Sequence, residues 1–171
     1  MKERFSIKSI GGSVLFSSSS TCAGECGCEN NHKITLEKAV KEGRDLSGSI
    51  LSGLDFSGTD LSWAKLFGSI LHGCDFSGSD LSGANLSSSN IIACVFSKAN
   101  LYGSDFHNSM ISGSDFSNSN FSNADCNYIH AMNSNFFDSD FSGANLSYAC
   151  LSKCEVCNIK FNRTNLNGTK F

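Results

Sequence analysis

The chain contains 171 residues, a size that accommodates one domain with a sizeable core and excludes two large ones. Its formal net charge of −3 disfavours direct binding of nucleic acid through a strongly basic surface. No stretch approaches the roughly 18 uninterrupted apolar residues of a membrane-spanning helix. Lys8 interrupts the apolar stretch that a signal peptide would need, so the sequence predicts a cytoplasmic protein that does not bind membranes.

Residues 1–43 contain no repeat, and their pattern predicts a small N-terminal cap. Two short strands over residues 5–16, around a turn at Gly11-Gly12, predict a hairpin. A short helix follows, with Thr35 as its N-terminal capping residue and Gly43 as its stop signal. The apolar face of this helix consists of Leu36, Ala39 and Val40.

From Leu46 to Phe171 a central residue recurs at every fifth position, which gives 26 pentads without insertion or deletion. The centre is Leu, Phe, Ile or Val in 24 pentads, and the residue two positions earlier is small in 22. Residues two apart on an extended chain point to the same side, so both face inward and the residue between them faces outward. Ser-Gly recurs directly after the centre, which predicts a corner there.

A second period of twenty residues sets the number of sides. Phe occupies every fourth centre from Phe56 to Phe136, so the cross-section is a square and these rings form one column. The sequence therefore predicts an all-β solenoid over residues 44–171, a quadrilateral β-helix of about 6.5 coils and about 30 Å in length. Residues 1–43 form its separate hairpin and helix cap.

Pentads such as Ser79-Asp80-Leu81-Ser82-Gly83 resemble those of the pentapeptide-repeat proteins. The resemblance implies a right-handed β-helix with an N-terminal lead-in, and it is weakly specific for function. It also implies pairing of two chains end to end, which favours a homodimer through the C-terminal coil. Fraying of that coil is the alternative, because Phe161, Leu166 and Phe171 have no predicted cap.

The sequence predicts no enzyme and no cofactor. A filled solenoid has flat faces and lacks the concave pocket that catalysis needs. Its four histidines occupy scattered positions, and neither a phosphate-binding glycine loop nor a catalytic triad motif is present.

The chain contains nine cysteines, most of which fall on the repeat. Cys74, Cys94 and Cys154 occupy inward small positions and Cys126 is a centre, so we interpret them as core residues. A second group lies in or beside the predicted loop 17–31 and is a weak candidate for a metal site, with ligand types that suit zinc but a spacing that matches no standard finger. The alternative is a flexible tether with free thiols. The group consists of Cys22, Cys26, Cys28 and His32.

The residues that precede the centres form four outward columns, one on each face of the square. Three columns carry Asp and Asn, whereas the second contains no acid and has isoleucine and methionine instead. This stripe predicts a face that binds an unknown protein partner, although outward positions on a rigid rod can also vary freely. The candidate face consists of Ile50, Ile70 and Met110 from this column together with Ile92 and Met132, which lie just beyond its centres.

The acidic columns offer a second hypothesis from the resemblance. Some pentapeptide-repeat proteins protect DNA gyrase, a type II topoisomerase, by presenting carboxylates in place of DNA phosphates. The net charge of residues 45–171 is only −5, and the alternative is that these side chains bond local backbone at the corners. The candidate acids are Asp55, Asp60, Asp75, Asp80, Asp115 and Asp140.

One coil departs from the pattern. The centres at Cys126 and Ala131 are small, whereas the inward position Ile129 is large. We interpret this as an exchange that conserves core volume. A local notch with Tyr128, His130 and Met132 pointing outward is the alternative.

Overall fold

The structure, a computed structural model, describes residues 4–19 and 31–171, and side chains within residues 6–17 and 32–171. Its N-terminal elements are strands β1 (Arg4–Ser9) and β2 (Val14–Ser19) and helix α1 (Asn31–Lys41). Six short strands follow at intervals of about twenty residues. They are β3 (Ser49–Ser52), β4 (Ile70–His72), β5 (Asn90–Ile92), β6 (Met110–Ser112), β7 (His130–Met132) and β8 (Cys150–Ser152).

One face of the solenoid is a continuous eight-stranded sheet in the order β2-β1-β3-β4-β5-β6-β7-β8. Strands β3 to β8 are parallel, and each residue pairs with the residue twenty positions further on, as Ile50 does with Ile70. The other three faces are joined by isolated bridges with the same spacing, among them Asp45 with Lys65 and Asp55 with Asp75. The predicted quadrilateral β-helix is therefore confirmed.

The number of coils differs slightly from the prediction. Strands β3 to β8 span five complete turns, and the bridge between Cys150 and Lys170 continues the same column for one more turn. The predicted 6.5 coils counted every pentad, including part-turns at both ends that form no strand on this face.

The core is a filled column of the predicted centres. Every centre from Leu46 to Leu151 is buried, and successive phenylalanine rings from Phe56 to Phe136 stack with centroids 5.2, 4.8, 4.7 and 5.3 Å apart. Phe121 and Phe141 stack in the neighbouring column at 4.5 Å. Regular stacking follows because each coil buries its apolar side chains only against the next coil.

The corners have one backbone conformation. The second residue after every centre, from Gly48 to Gly168, has a positive φ. After Leu46, for example, the N–H of Ser49 donates to the Leu46 carbonyl at 3.1 Å, which closes a tight turn. Glycine recurs at this position because the left-handed region is strained for residues with a Cβ.

The N-terminal cap contains the predicted hairpin and helix, with two differences from the prediction. Helix α1 ends at Lys41, and Gly43 acts as its stop signal as expected: the Gly43 N–H donates to the Val40 carbonyl, and the Arg44 N–H donates to the Ala39 carbonyl. The assignment of Thr35 as the N-terminal capping residue is wrong, because the helix begins at Asn31 and Thr35 is buried within it. The expected loop is also shorter, since Ser17–Ser19 continue β2.

The irregular coil buries all three residues of the predicted exchange. Ile129 points inward and is buried together with Cys126 and Ala131, so the larger inward side chain occupies space that the two small centres leave. Tyr128 and Met132 are exposed on the outer surface. The fold therefore continues through this coil without a break in the strand register.

Candidate interaction surfaces

The predicted partner face is the outer surface of the eight-stranded sheet, and we call it the sheet face. Leu51, Leu71 and their counterparts in the other strands point into the core, so the residues on either side of them point outward. The exposed fraction is 42% for Ile50, 37% for Ile92, 62% for Met110 and 51% for Met132, whereas Ile70 is half-buried. The structure brings all five predicted residues onto this face.

The N-terminal hairpin lengthens the sheet face, which the sequence did not indicate. Strand β1 pairs antiparallel with β3, with Lys8 opposite Ile50, and this register places the exposed side chains of Ile10 and Val14 beyond the end of the predicted stripe. Ile7 is buried, so the residues on either side of it in β1 point outward. The sequence could not show that β1 would pair with β3, because residues 1–43 share no period with the repeat.

A shallow groove lies where the hairpin meets the first coil. Its volume is about 390 Å³, and its apolar lining is formed by Ile10, Ile50 and Leu54. Lys8 also lines the groove and is exposed. The groove is therefore an apolar recess with a cationic rim at one end of the sheet face.

The sheet face differs from the other faces in charge. Among its described outward side chains there is no aspartate or glutamate. Lys8 of β1 is cationic, the bridge position Lys170 adds a second cation at the opposite end, and the imidazoles of His72 and His130 lie between them. This surface favours neutral or acidic groups.

The six candidate acids do not form one cluster. Asp55 bridges to Asp75 and Asp60 bridges to Asp80, so these four carboxylates form two stacked pairs on neighbouring faces. Asp115 is separated from Asp75 by Val95. Asp140 is separated from Asp80 by two asparagines, Asn100 and Asn120.

Every candidate acid accepts a local backbone hydrogen bond. In each case the Oδ1 atom accepts the N–H of the residue two positions further on, at 2.8 Å for Asp55 and Asp75, 2.9 Å for Asp80, Asp115 and Asp140, and 3.1 Å for Asp60. The local bonding that the sequence offered as an alternative is therefore present. It accounts for Asp or Asn at this position without reference to a partner.

Hydrogen bonds also keep several of these carboxyl groups ionised. Hydrogen bonds from Ser57, and then the Lys33 ammonium, lower the pKa of Asp55 to about 2. Hydrogen bonds from Ser62 and Ser142 lower the pKa of Asp60 and that of Asp140 in the same way. These groups carry negative charge at neutral pH.

Two of the acids have cationic partners. The Lys33 Nζ atom lies 3.0 Å from Asp55 Oδ1, and the Lys160 Nζ atom lies 3.5 Å from Asp140 Oδ2. The acidic surface is thus partly neutralised by the chain itself.

Side chains of helix α1 bond backbone groups at the open edge of the first coil. The ring of His32 lies 2.7 Å from the Asp55 carbonyl, Lys33 donates to the Ser57 carbonyl at 3.1 Å, and Glu37 accepts the Asp60 N–H at 3.2 Å. One coil further along, the equivalent groups are bonded by the preceding coil. The helix therefore replaces a missing coil.

The metal interpretation stays a prediction. His32 is placed against the first coil, whereas Cys22, Cys26 and Cys28 lie outside the described residues. Within residues 4–19 and 31–171, no group of three or more His, Cys, Asp or Glu side chains is arranged to hold a metal ion.

Three of the four repeat cysteines assigned to the core are fully buried. They are Cys74, Cys94 and Cys126, while Cys154 is half-buried in the last complete coil. Burial raises the pKa of Cys126 and that of Cys154. These thiols stay protonated at neutral pH, as expected of core residues.

A square β-solenoid with a filled core and flat outer faces defines the class of protein. The sequence matches the pentapeptide repeats family in eight copies, over residues 42–73, 59–97, 69–108, 99–136 and 139–171. The chain belongs to the pentapeptide-repeat family. No curated protein matches the sequence.

The chain is also similar to solved structures of three proteins. A trypsin-treated variant of QnrB1, a plasmid-mediated fluoroquinolone resistance protein, is 19% identical over 70% of this chain and 80% of its own, with a TM-score of 0.36. HetL, a pentapeptide repeat protein involved in heterocyst differentiation regulation from the cyanobacterium Nostoc sp. strain PCC 7120, is 20% identical over 74% and 82%, with a TM-score of 0.32. Rfr23 from the cyanobacterium Cyanothece 51142 is 17% identical over 77% and 97%, with a TM-score of 0.32.

No helix in the described parts of the chain is long and apolar enough to cross a membrane.

Proposed function

We propose that this protein is a non-catalytic scaffold that binds a protein partner through the sheet face. One observation carries the proposal: isoleucine and methionine side chains lie in two adjacent columns on the outer surface of a rigid sheet, and the described outward side chains of this face include no aspartate or glutamate. Exposed apolar side chains grouped on one face favour a protein contact, because burying them against a partner removes apolar surface from water. The backbone beneath them is already paired, so little conformational entropy is lost on binding.

The test is a comparison of single substitutions on opposite faces. Met110→Asp places a charge on the sheet face, and Tyr102→Asp places one at a similarly exposed position on the opposite side of the square. Both variants should unfold at the same denaturant concentration as the wild type. A partner recovered in quantitative pull-downs should be lost with Met110→Asp and retained with Tyr102→Asp.

Equal recovery with both variants would contradict the proposal. Loss of the fold in Met110→Asp would also contradict it, because the side chain would then be part of the core. Ile92→Asp provides an independent variant on the same face.

The second candidate is a DNA mimic that inhibits or protects gyrase. It is supported by the two stacked carboxylate pairs formed by Asp55, Asp75, Asp60 and Asp80. The six candidate acids span about four coils or about 20 Å, over which B-DNA carries about 12 phosphate charges. Two of the six acids are ion-paired, so the density of negative charge on the acidic faces is well below that of DNA. This difference favours the sheet face as the functional surface.

A gyrase supercoiling assay at low and high salt separates the two candidates. Inhibition that weakens with salt and disappears in the double variant Asp75→Lys, Asp80→Lys would establish the mimic. The scaffold proposal predicts no effect of the wild-type protein in this assay.

The homodimer is also a proposal. Leu166 and Phe171 are exposed, unlike the centres of the preceding coils, and Phe161 is half-buried. Pairing of this surface with a second copy would bury these side chains. Sedimentation equilibrium should then show a dimer that becomes a monomer in Leu166→Glu.

A further inference from the structure

We infer that the sheet face binds an amphipathic α-helix with acidic flanks, lying along the axis of the solenoid. This inference rests on the proposed function and specifies the kind of partner. Three features of the sheet face carry it: its charge, the spacing of its apolar side chains and the groove at its N-terminal end.

The charge of the sheet face selects an acidic partner. Its described outward side chains include Lys8 and no acid, and Lys170 extends the column at the far end. The neighbouring faces carry stacked aspartates, Asp55 with Asp75 on one side and Asp105 with Asp125 on the other, which repel an acidic segment. A partner with acidic flanks is therefore excluded from those faces and accepted on this one.

The same charge argues against a second copy of this chain on the sheet face. A twofold axis would bring two surfaces together that both carry cations and contain no described acid. Among the described side chains, no ion pair could form across such an interface. A partner of complementary charge gives the more favourable contact.

The spacing of the apolar side chains favours a helix. One apolar side chain stands on each strand from Ile50 through Ile70, Ile92 and Met110 to Met132, and parallel strands repeat every ~4.8 Å. A helix presents one apolar side chain per ~5.3 Å along its axis, whereas an extended strand presents one per ~6.7 Å. Over the four inter-strand distances between Ile50 and Met132, the accumulated difference in spacing is about 2 Å for a helix and about 8 Å for a strand. The difference for a strand is larger than one inter-strand distance.

The dimensions of the stripe set the length of the helix. Five strands span about 19 Å, which corresponds to about 13 helical residues. The stripe occupies two columns that lie two residues or about 7 Å apart, with Ile50, Ile70 and Met110 in one and Ile92 and Met132 in the other. This width matches the apolar face of a single helix better than the broad face of a second sheet.

The groove anchors one end of this helix. Ile10, Ile50 and Leu54 line a recess of about 390 Å³ that accommodates a large apolar side chain. Lys8 at the same recess is placed to pair with a carboxylate on the next turn of the bound helix. The partner should therefore carry Asp or Glu three or four residues from its terminal apolar residue.

Two display libraries test the inference against the intact protein. One library randomises the exposed side of a single helix in a helical-bundle scaffold, and the other randomises the exposed side of a β-hairpin scaffold. Binders are selected on the wild type, and their affinities are then compared for Met110→Asp, for Lys8→Glu and for the opposite-face control Tyr102→Asp.

The inference predicts binders from the helical library with apolar residues at spacings of three and four and with acidic flanks. Their affinity should fall about tenfold or more in Met110→Asp, fall several-fold in Lys8→Glu and at high salt, and stay unchanged in Tyr102→Asp. Circular dichroism and denaturant unfolding of each variant confirm that the fold is intact.

The remaining outcomes separate failure of the inference from failure of the proposed function. Binders that depend on Met110 but come only from the hairpin library would overturn the helix and keep the partner-binding face. Absence of such binders from both libraries would overturn both. A wild-type dimer that Met110→Asp makes monomeric would show that a second copy occupies the face, which also overturns the helix.

Discussion

A positive φ at each corner explains why glycine recurs at the second position after the centre. All 25 corner positions from residue 48 to residue 168 have it, and 14 of them are not glycine. The left-handed conformation costs about 1–2 kcal/mol for a residue with a Cβ. Trp63 adopts it nevertheless, and its ring lies over Gly83 in the next coil, where an added Cβ would meet the ring at 2.6 Å. At most of the corners where glycine occurs, the backbone conformation alone accounts for it. At Gly83, glycine also leaves space for the ring of Trp63.

Gly58 and Lys98 provide a matched test of the corner, because they occupy equivalent positions two coils apart with φ of 65° and 59°. Gly58→Ala should lower the free energy of unfolding by about 1 kcal/mol although nothing lies within 4 Å of the added Cβ. Lys98→Gly should raise it by about 0.5 kcal/mol. Urea unfolding with an unchanged m-value measures both, and a neutral Gly58→Ala would contradict the conformational explanation.

Ser109 is a second residue whose effect can be predicted from its surroundings. Its hydroxyl is buried and has no hydrogen-bond partner within the described residues, whereas Ser89 in the preceding coil donates to the Leu66 carbonyl at 2.9 Å. The next residue in this inward column is Ile129, whose side chain offers the Ser109 hydroxyl no hydrogen-bonding group. Ser109→Ala should raise the free energy of unfolding by about 1 kcal/mol, and Ser89→Ala should lower it by a similar amount. The same sign for both substitutions in denaturant unfolding would refute this.

At the scale of elements, helix α1 has two separate roles in the cap. Leu36 and Ala39 are buried against the core, which covers the apolar side chains of the first coil. His32, Lys33 and Glu37 bond backbone groups that the preceding coil bonds elsewhere in the solenoid. Without these contacts the first coil would expose an unpaired sheet edge.

Hydrogen bonds from Ser57, together with the ion pair to Lys33 of the cap, make the contribution of Asp55 to stability sensitive to acid. The pKa of Asp55 falls from its ordinary value of 3.8 to about 2 in the folded protein, so its stabilising effect is complete above about pH 4 and is lost as the pH falls towards 2. Asp55→Asn should lower the thermal midpoint at neutral pH and flatten its decline between about pH 4 and pH 2.

Lys33→Ala is the matched control for this prediction. It removes the ammonium and leaves the hydrogen bond from the Ser57 N–H, so part of the acid sensitivity should persist. A thermal midpoint that declines identically in the wild type and in Asp55→Asn would show that other carboxylates dominate the acid response.

At the scale of the whole molecule, stability is distributed along one dimension because each coil contacts only its neighbours. Phe96 is fully buried between Phe76 and Phe116, whereas Phe161 in the last coil is half-buried. Phe96→Ala should lower the free energy of unfolding by about 3–5 kcal/mol, and Phe161→Ala by about half of that. Equal losses of unfolding free energy in the two variants would contradict the conclusion that the aromatic stack is less tightly buried towards the C-terminal coil.

The repeat could be predicted in detail because its rule is local. A small inward residue, a large centre and a glycine corner fix the path of each pentad, and every residue then lies beside the residue twenty positions further on. Ile50 and Met110 could thus be assigned to one face from their numbers alone, and the burial of Leu46 and Leu51 confirms the underlying register. The exchange among Cys126, Ile129 and Ala131 followed from the same rule.

Residues 1–43 determined only their own secondary structure. Which strand β1 would pair with, and hence that Ile10 and Val14 extend the sheet face, depended on contacts between segments about forty residues apart. The ion pair between Lys33 and Asp55 could not be predicted from the sequence for the same reason. By itself the sequence determined the square solenoid and the orientation of its side chains, because a periodic chain repeats one local geometry. Only the tertiary structure decided how the aperiodic cap docks, which charges it neutralises and how far the apolar face extends, because docking follows from long-range packing that no local pattern encodes.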